Sequence, residues 1–215
     1  MSPEEARLRE AIAEHGRSLF ARGFSVGSAG NISVRLPGGE GFLITPTNSC
    51  LGRLDPARIS RLDAAYRHIG GDAPSKEVFM HRAMLEARAE AGAVVHLHST
   101  HATAIACVAP PGATAPIPPL TPYFVMRVGR SLPVIRYYRP GDAAMEPAIA
   151  EAARAGARAM LLANHGPVVS GRSLDDAVFA AEELEEAARL ALLLEGRGAR
   201  TLTPDEVADL LRTFG

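Results

Sequence analysis

The residues of this chain best suited to chemistry are His96 and His98, in Val94-Val95-His96-Leu97-His98. An apolar run leading into His-x-His reads as a strand, and its two-residue period puts both imidazoles on one face, a few ångströms apart. A third histidine, His165, follows another apolar run, Met160-Leu161-Leu162. Three neutral imidazoles with a fourth position open suit a catalytic metal better than a structural one. That ligand type favours Zn2+, and Mn2+, Fe2+ or Co2+ are also compatible with it. A lone histidine is more often a buried, hydrogen-bonded side chain; the His-x-His pair with a third partner is what favours metal. His101 is either a weaker ligand or a donor behind the ligands.

Such a site needs a group that moves protons. Glu77 is the candidate, since it falls in the first turn of a helix that follows the turn-rich loop Gly70-Gly71-Asp72-Ala73-Pro74. The same position would equally let a carboxylate complement the helix dipole. Anion binding is suggested by Gly27-Ser28-Ala29-Gly30-Asn31, whose glycines let backbone N–H groups approach a ligand, and by Ser75 and Lys76 at a helix start. With Thr45-Pro46-Thr47-Asn48-Ser49 these segments outline a phosphate-sized pocket.

The elements that must position these residues are legible in the hydrophobic pattern. An amphipathic helix over 4–22 stops at Gly23, and strands over 32–36 and 42–46 form a hairpin. Short strands follow at 59–62 and 66–69, then a helix with Ser75 as N-cap and Val78, Phe79, Ala83 and Leu85 as its buried stripe. A strand over 93–98 delivers the histidine pair, and a helix over 100–108 carries Cys107 as a small core residue. The proline-rich stretch 110–119 reads as a surface loop. Strands at 134–138, 159–163 and 168–171, helices at 143–155 and 173–195, and a last helix from Pro204 complete the chain. Helices separate short strands throughout, which is an α/β pattern with helices on both faces of one sheet. A chain of 215 residues fits one domain, 1–215.

Composition excludes some partners. A net charge of -1 gives no general attraction to nucleic acid or to an anionic membrane surface, so any anionic ligand must be held locally. Apolar runs fall short of the roughly 20 residues a membrane helix needs, and the N-terminus lacks signal-peptide character. Two cysteines, Cys50 and Cys107, make no disulfide framework, and a cytoplasmic setting is the expectation.

Taken together, Gly27-Ser28-Ala29-Gly30-Asn31-Ile32-Ser33, Ile44-Thr45-Pro46-Thr47, Pro74-Ser75-Lys76-Glu77, His96-Leu97-His98 and Asn164-His165-Gly166 resemble, in order, the motifs of the class II aldolase/adducin family. The resemblance implies a three-layer α/β/α domain with a central, largely antiparallel sheet. It implies Zn2+ on His96, His98 and His165, with Glu77 as acid/base and occasional fourth ligand. It implies a phosphate pocket of Gly30, Asn31, Thr47, Asn48, Ser75 and Lys76. It also implies a homotetramer with active sites between subunits, in which Tyr123 of a neighbour acts as an acid.

Within the family, Ser49-Cys50-Leu51-Gly52, Thr121-Pro122-Tyr123 and Tyr137-Tyr138-Arg139-Pro140-Gly141-Asp142 resemble the branch that decarboxylates 3-oxo-tetronate 4-phosphates. The implied reaction yields dihydroxyacetone phosphate and CO2 through an enediolate stabilised by the metal. The implied partner is a small sugar-acid phosphate. Arg127, Arg136 and Arg139 are weaker candidates for its charged groups. A fuculose-phosphate type of aldolase and a non-catalytic, adducin-like interaction module are the alternatives.

Overall fold

Alternation along the strands decides the architecture. In the computed structural model, which describes residues 1–214, eight strands form one sheet: β1 Asn31–Arg35, β2 Phe42–Ile44, β3 Ser60–Leu62, β4 His68–Gly70, β5 Ala93–His96, β6 Val134–Ile135, β7 Ala159–Leu162 and β8 Gly166–Gly171. Their order is β4-β3-β2-β1-β5-β8-β7-β6, and all pairs are antiparallel except β6 with β7.

Odd and even positions supply two different cores. Leu43, Ala93, Val95, Leu161 and Val169 pack beneath α1 Pro3–Ala21, α3 Thr100–Val108, α4 Pro122–Arg127 and α6 Leu174–Leu193. Their neighbours Phe42, Ile44, Val94, Met160, Leu162 and Val168 pack on the opposite face, beneath α2 Val78–Ala87 and α5 Glu146–Arg154. Two-residue periodicity therefore buries both faces of every central strand, producing the expected three-layer α/β/α arrangement. Helix α7, Pro204–Phe214, lies against α4 with no buried residue of its own.

Several boundaries differ from the sequence expectation. Strand β5 stops at His96, and β8 begins before Pro167 rather than after it. Proline in a central strand costs a ladder donor. Here the Pro167 carbonyl accepts from the Leu97 N–H at 3.2 Å, and proline has no N–H to give in return. The β5–β8 ladder ends there, which frees the chain at His98 to turn into α3. The strand expected at 134–138 is only two residues long, and a 3-10 turn, Ala143–Met145, precedes α5.

Tyr66 lies outside β4, at φ 60 in the turn before it, and stacks on Phe42. Helix α2 begins at Val78; Ser75 sits before the cap position, and its hydroxyl accepts from the Glu77 N–H at 3.2 Å. Cys107 is exposed rather than core, because α3 turns Ala102, Ile105 and Ala106 inward instead. Helix α4 was not expected, although Thr121 caps it and Pro122 opens it, a standard start signal. It buries Phe124 and Val125.

Candidate active site

Three strand ends meet on the α2 face of the sheet. In the β1–β5 register Asn31 lies opposite His96, at the start of one strand and the end of the other. On the other side of β5, His96 pairs with Val168, next to the β7–β8 turn that carries His165. The close approach needs glycine at two places. A Cβ on Gly30, at φ 82, would stand 2.9 Å from the His96 carbonyl, and one on Gly166 would stand 2.3 Å from that of Leu97. Between β7 and β8, the His165 N–H bonds the Leu162 carbonyl at 3.0 Å, and Asn164 takes φ 57, a left-handed conformation that asparagine tolerates better than most residues.

His96, His98 and His165 thereby converge, with one ring nitrogen of each within 4.8 Å of the others. The His96 Nδ1 lies 2.9 Å from the Pro167 carbonyl, which can only accept, so Nδ1 carries the hydrogen and Nε2 presents its lone pair to the cluster. His96 Nε2 and His98 Nε2 are 3.1 Å apart. Two nitrogens on one tetrahedral Zn2+ stand about 3.3 Å apart, given metal–nitrogen bonds of about 2.0–2.1 Å, so the donor set fits a divalent cation.

Electrostatics favour the same state. Burial, then repulsion from His165 and His98, holds His96 well below the ordinary histidine pKa. Burial first, then His165, lowers His98, and burial lowers His165 against the opposing charge of Glu77. All three histidines are thus neutral near pH 7, the state in which an imidazole could hold a metal. Glu77 brings its carboxylate to the cluster's edge, with Oε1 3.6 Å from His165 Nε2 and Oε2 3.7 Å from His96 Nε2.

Gly30, Asn31, Thr47, Asn48, Ser75 and Lys76 all line one cleft of about 270 Å³, together with Glu77, His98 and His165. The expected phosphate residues therefore face the same space as Glu77, His98 and His165, with His96 fully buried beside them. Asn48 holds φ 55, so the asparagine takes up a turn conformation there. Pro140 and Gly141 also line the cleft. They lie in the Tyr137–Asp142 motif noted in the sequence, where only Arg139 was marked as a candidate.

Other candidates lie elsewhere. His101 is not behind the ligands: its N–H and Nδ1 both bond Glu185 Oε1 at 2.8 Å, and Glu185 Oε2 accepts from the Ala102 N–H, so the pair caps α3 from α6. Arg127 stacks over Phe179, Arg136 stacks over Tyr138, and Arg139 is exposed. Tyr123 lines a separate hollow of about 420 Å³ with Arg88, Arg127, Arg158, Arg172 and Phe214. Ser170 and Gly171, opposite Val94 and Ala93, line it too, so it lies towards the other end of β5 from His96.

Known proteins resemble this chain over nearly its whole length. The model of the Class II Aldolase and Adducin N-terminal domain matches residues 10–192. The chain belongs to this family. Among class II aldolase relatives, the 3-oxo-tetronate 4-phosphate decarboxylase of Escherichia coli K12 is 48% identical over 206 residues, 96% of either chain. An L-fuculose phosphate aldolase of Escherichia coli is 31% identical over 213 residues, 98% of this chain and 95% of that one. The crystal structure of YgbL from Klebsiella pneumoniae superposes with a TM-score of 0.92 at 48% identity, covering 97% of this chain and all of the other. Membership confirms the fold expected from the sequence. Among the described residues no helix is long and apolar enough to cross a membrane.

Proposed function

We propose that this chain, acting as one domain over residues 1–215, is a carbon–carbon lyase that decarboxylates a 3-oxo-tetronate 4-phosphate to dihydroxyacetone phosphate and CO2. The observation that carries the reaction is the 48% identity to a decarboxylase of that name along 96% of either chain. The site is consistent with it. His96, His98 and His165 would hold a divalent cation, Zn2+ by ligand type. When bound, that cation supplies a Lewis acid for the ketone and the adjacent hydroxyl.

The protein's own residues do the rest. Lys76 brings charge, and Ser75, Thr47, Asn48, Asn31 and the backbone at Gly30 bring donors, so the 4-phosphate is seated at the mouth of the cleft. Seating the phosphate fixes the opposite end of the substrate near the histidines and Glu77. The C1–C2 bond then breaks, its electron pair passes through C2–C3 onto the ketone oxygen, and CO2 leaves. The resulting enediolate takes a proton at C2, which Glu77 first picks up from water in the cleft and then delivers from the cluster's edge, returning to its ionised form. Tyr123 is the second acid, reaching the cleft of a neighbouring copy in a homotetramer. The cytoplasm is the setting where such a sugar-acid phosphate would be met.

The test is incubation of the purified protein with the D and L forms of a 3-oxo-tetronate 4-phosphate, with and without chelator. The expected result is CO2 and dihydroxyacetone phosphate from one form, abolished by chelator and restored by Zn2+. Absence of CO2, beside aldehyde-dependent condensation of dihydroxyacetone phosphate, would make the protein an aldolase instead.

A further inference from the structure

Behind Glu77 lies a buried chain of polar groups, Asn31, His81 and Ser33, of which the reaction scheme uses only Asn31. Glu77 Oε2 accepts from Asn31 Nδ2 at 2.7 Å. The other half of that amide, Oδ1, meets Nε2 of His81, one helical turn along α2 from Glu77, and His81 Nδ1 lies 2.7 Å from the Ser33 hydroxyl. Asn31 and Ser33 are two residues apart on β1, so both point at α2. His81 is 1% exposed, Ser33 1% and Asn31 6%.

Only one set of hydrogens satisfies this chain when Glu77 is ionised. A carboxylate can only accept, so the NH2 of Asn31 must face it. The Asn31 carbonyl then faces His81 Nε2, which must carry the hydrogen. His81 Nδ1 is left as an acceptor for the Ser33 O–H. Flipping the Asn31 amide would set its oxygen against the carboxylate and its NH2 against the His81 N–H, two repulsive contacts in place of two bonds. Burial, the largest influence, and the neighbouring His96 hold His81 down to about 3, so it stays a neutral donor.

We infer that His81 is a positioning residue which, through Asn31, fixes the direction of the Glu77 carboxylate at the edge of the histidine cluster. The inference rests on Glu77 being the proton-moving group of the proposed reaction. A side chain that only filled space in α2 would be replaceable by any residue of similar volume. A positioning donor is replaceable only by another donor.

Two variants and one spectrum separate these cases. His81→Leu keeps bulk without a donor, and His81→Gln keeps an N–H near the Nε2 position. The expected result is a kcat lowered about 10–100-fold in H81L, the range for losing a partner that orients a functional side chain, with KM changed less than about threefold. H81Q should recover most of that loss. Equal kcat in H81L, H81Q and wild type, or equal losses in both variants, would overturn the inference.

Two-bond proton–nitrogen spectra of the metal-free protein give a readout independent of turnover. The expected His81 tautomer is Nε2–H, and the Asn31 side-chain amide signal should move in Glu77→Gln and H81L but not in H81Q. An Nδ1–H tautomer would overturn the inference, even if H81L failed to fold. If wild type released no CO2, the proposed reaction would fall while the spectra still decided the role of His81.

Discussion

The two ends of β5 rest on the same alternating apolar strand and treat polar groups in opposite ways. At the His96 end, Asn31, Ser33, His81 and His96 are buried and held by one another or by backbone, and glycines bring three strand ends into contact. At the Ala93 end, Arg88, Arg127, Arg158 and Arg172 surround an open hollow, and Tyr123 stands 60% exposed beside it. At one end Asn31, Ser33, His81 and His96 find their polar partners within a single chain. The other presents charge and a phenol to whatever comes next, which in the proposed tetramer is the cleft of a neighbour. Preorganisation is thus concentrated at the histidine end, and in the proposed tetramer the outward end would be completed by assembly.

The strongest way to break this contrast is His96→Ala. Loss of one imidazole from the buried cluster should remove divalent-cation binding and lower turnover at least about 1000-fold, read by metal analysis and CO2 release. An unchanged metal content would dissolve the distinction between the two ends. Next in size is Tyr123→Phe, expected to lower kcat about 10–100-fold without metal loss, within the range for one acid group. Mixing subunits carrying Y123F with subunits carrying Glu77→Gln should restore part of the activity. No restoration would confine Tyr123 to its own chain's hollow.

Smaller effects concern stability. Gly30→Ala and Gly39→Ala both place a side chain at positive φ, 82 and 76 respectively, but only Gly30 faces a carbonyl at 2.9 Å, while Gly39 meets nothing within 4 Å. Gly39 lies in the β1–β2 turn, at the Ala93 end. G30A should cost about 2–4 kcal/mol and G39A about 1–2 kcal/mol, lowering Tm by about 2–4 °C for each kcal/mol. Equal shifts would mean that the tight approach at the histidine end is not restrictive.

The mildest expected effect is on pH dependence. His81 is held at about 3 against an ordinary 6.5, so between those values the unfolded chain binds a proton that the folded chain excludes. The His81 contribution to the stability of the metal-free protein therefore falls as pH drops below about 6.5, by about 1.4 kcal/mol per pH unit, and the lowered His96, His98 and His165 act in the same direction. Urea midpoints at about pH 7 and pH 5 would measure it.

Much of the site was legible because its signals are local. His-x-His after an apolar run, the Gly-Asn step that opens β1 and the Ser-Lys-Glu step leading into α2 each carry their chemistry in a few neighbouring residues. His81 was not legible: among Phe79, Met80, Ala83 and Met84 it reads as one more position of a buried stripe, and only the β1 register reveals its partners. Pro140 and Gly141 join the cleft through tertiary contact alone. Helix α4 was missed because six residues are too short for a periodic pattern, although Thr121-Pro122 marked its start. The exposure of Cys107 depends on how α3 is rotated against the sheet, which a run of small apolar residues does not specify.

Pro167 leaves the last rung of the β5–β8 ladder one-sided, since Leu97 gives an N–H and receives none. A one-sided rung at the ladder's end has fewer bonds to break, whereas Val95, paired with Val169, lies farther in with paired residues on either side, although the Leu97 and Val95 side chains are both fully buried. Deuterium should thus reach the Leu97 amide through brief local openings and the Val95 amide only when the whole fold comes apart. The histidine end carries within its own backbone a clock for its breathing, distinct from the lifetime of the protein.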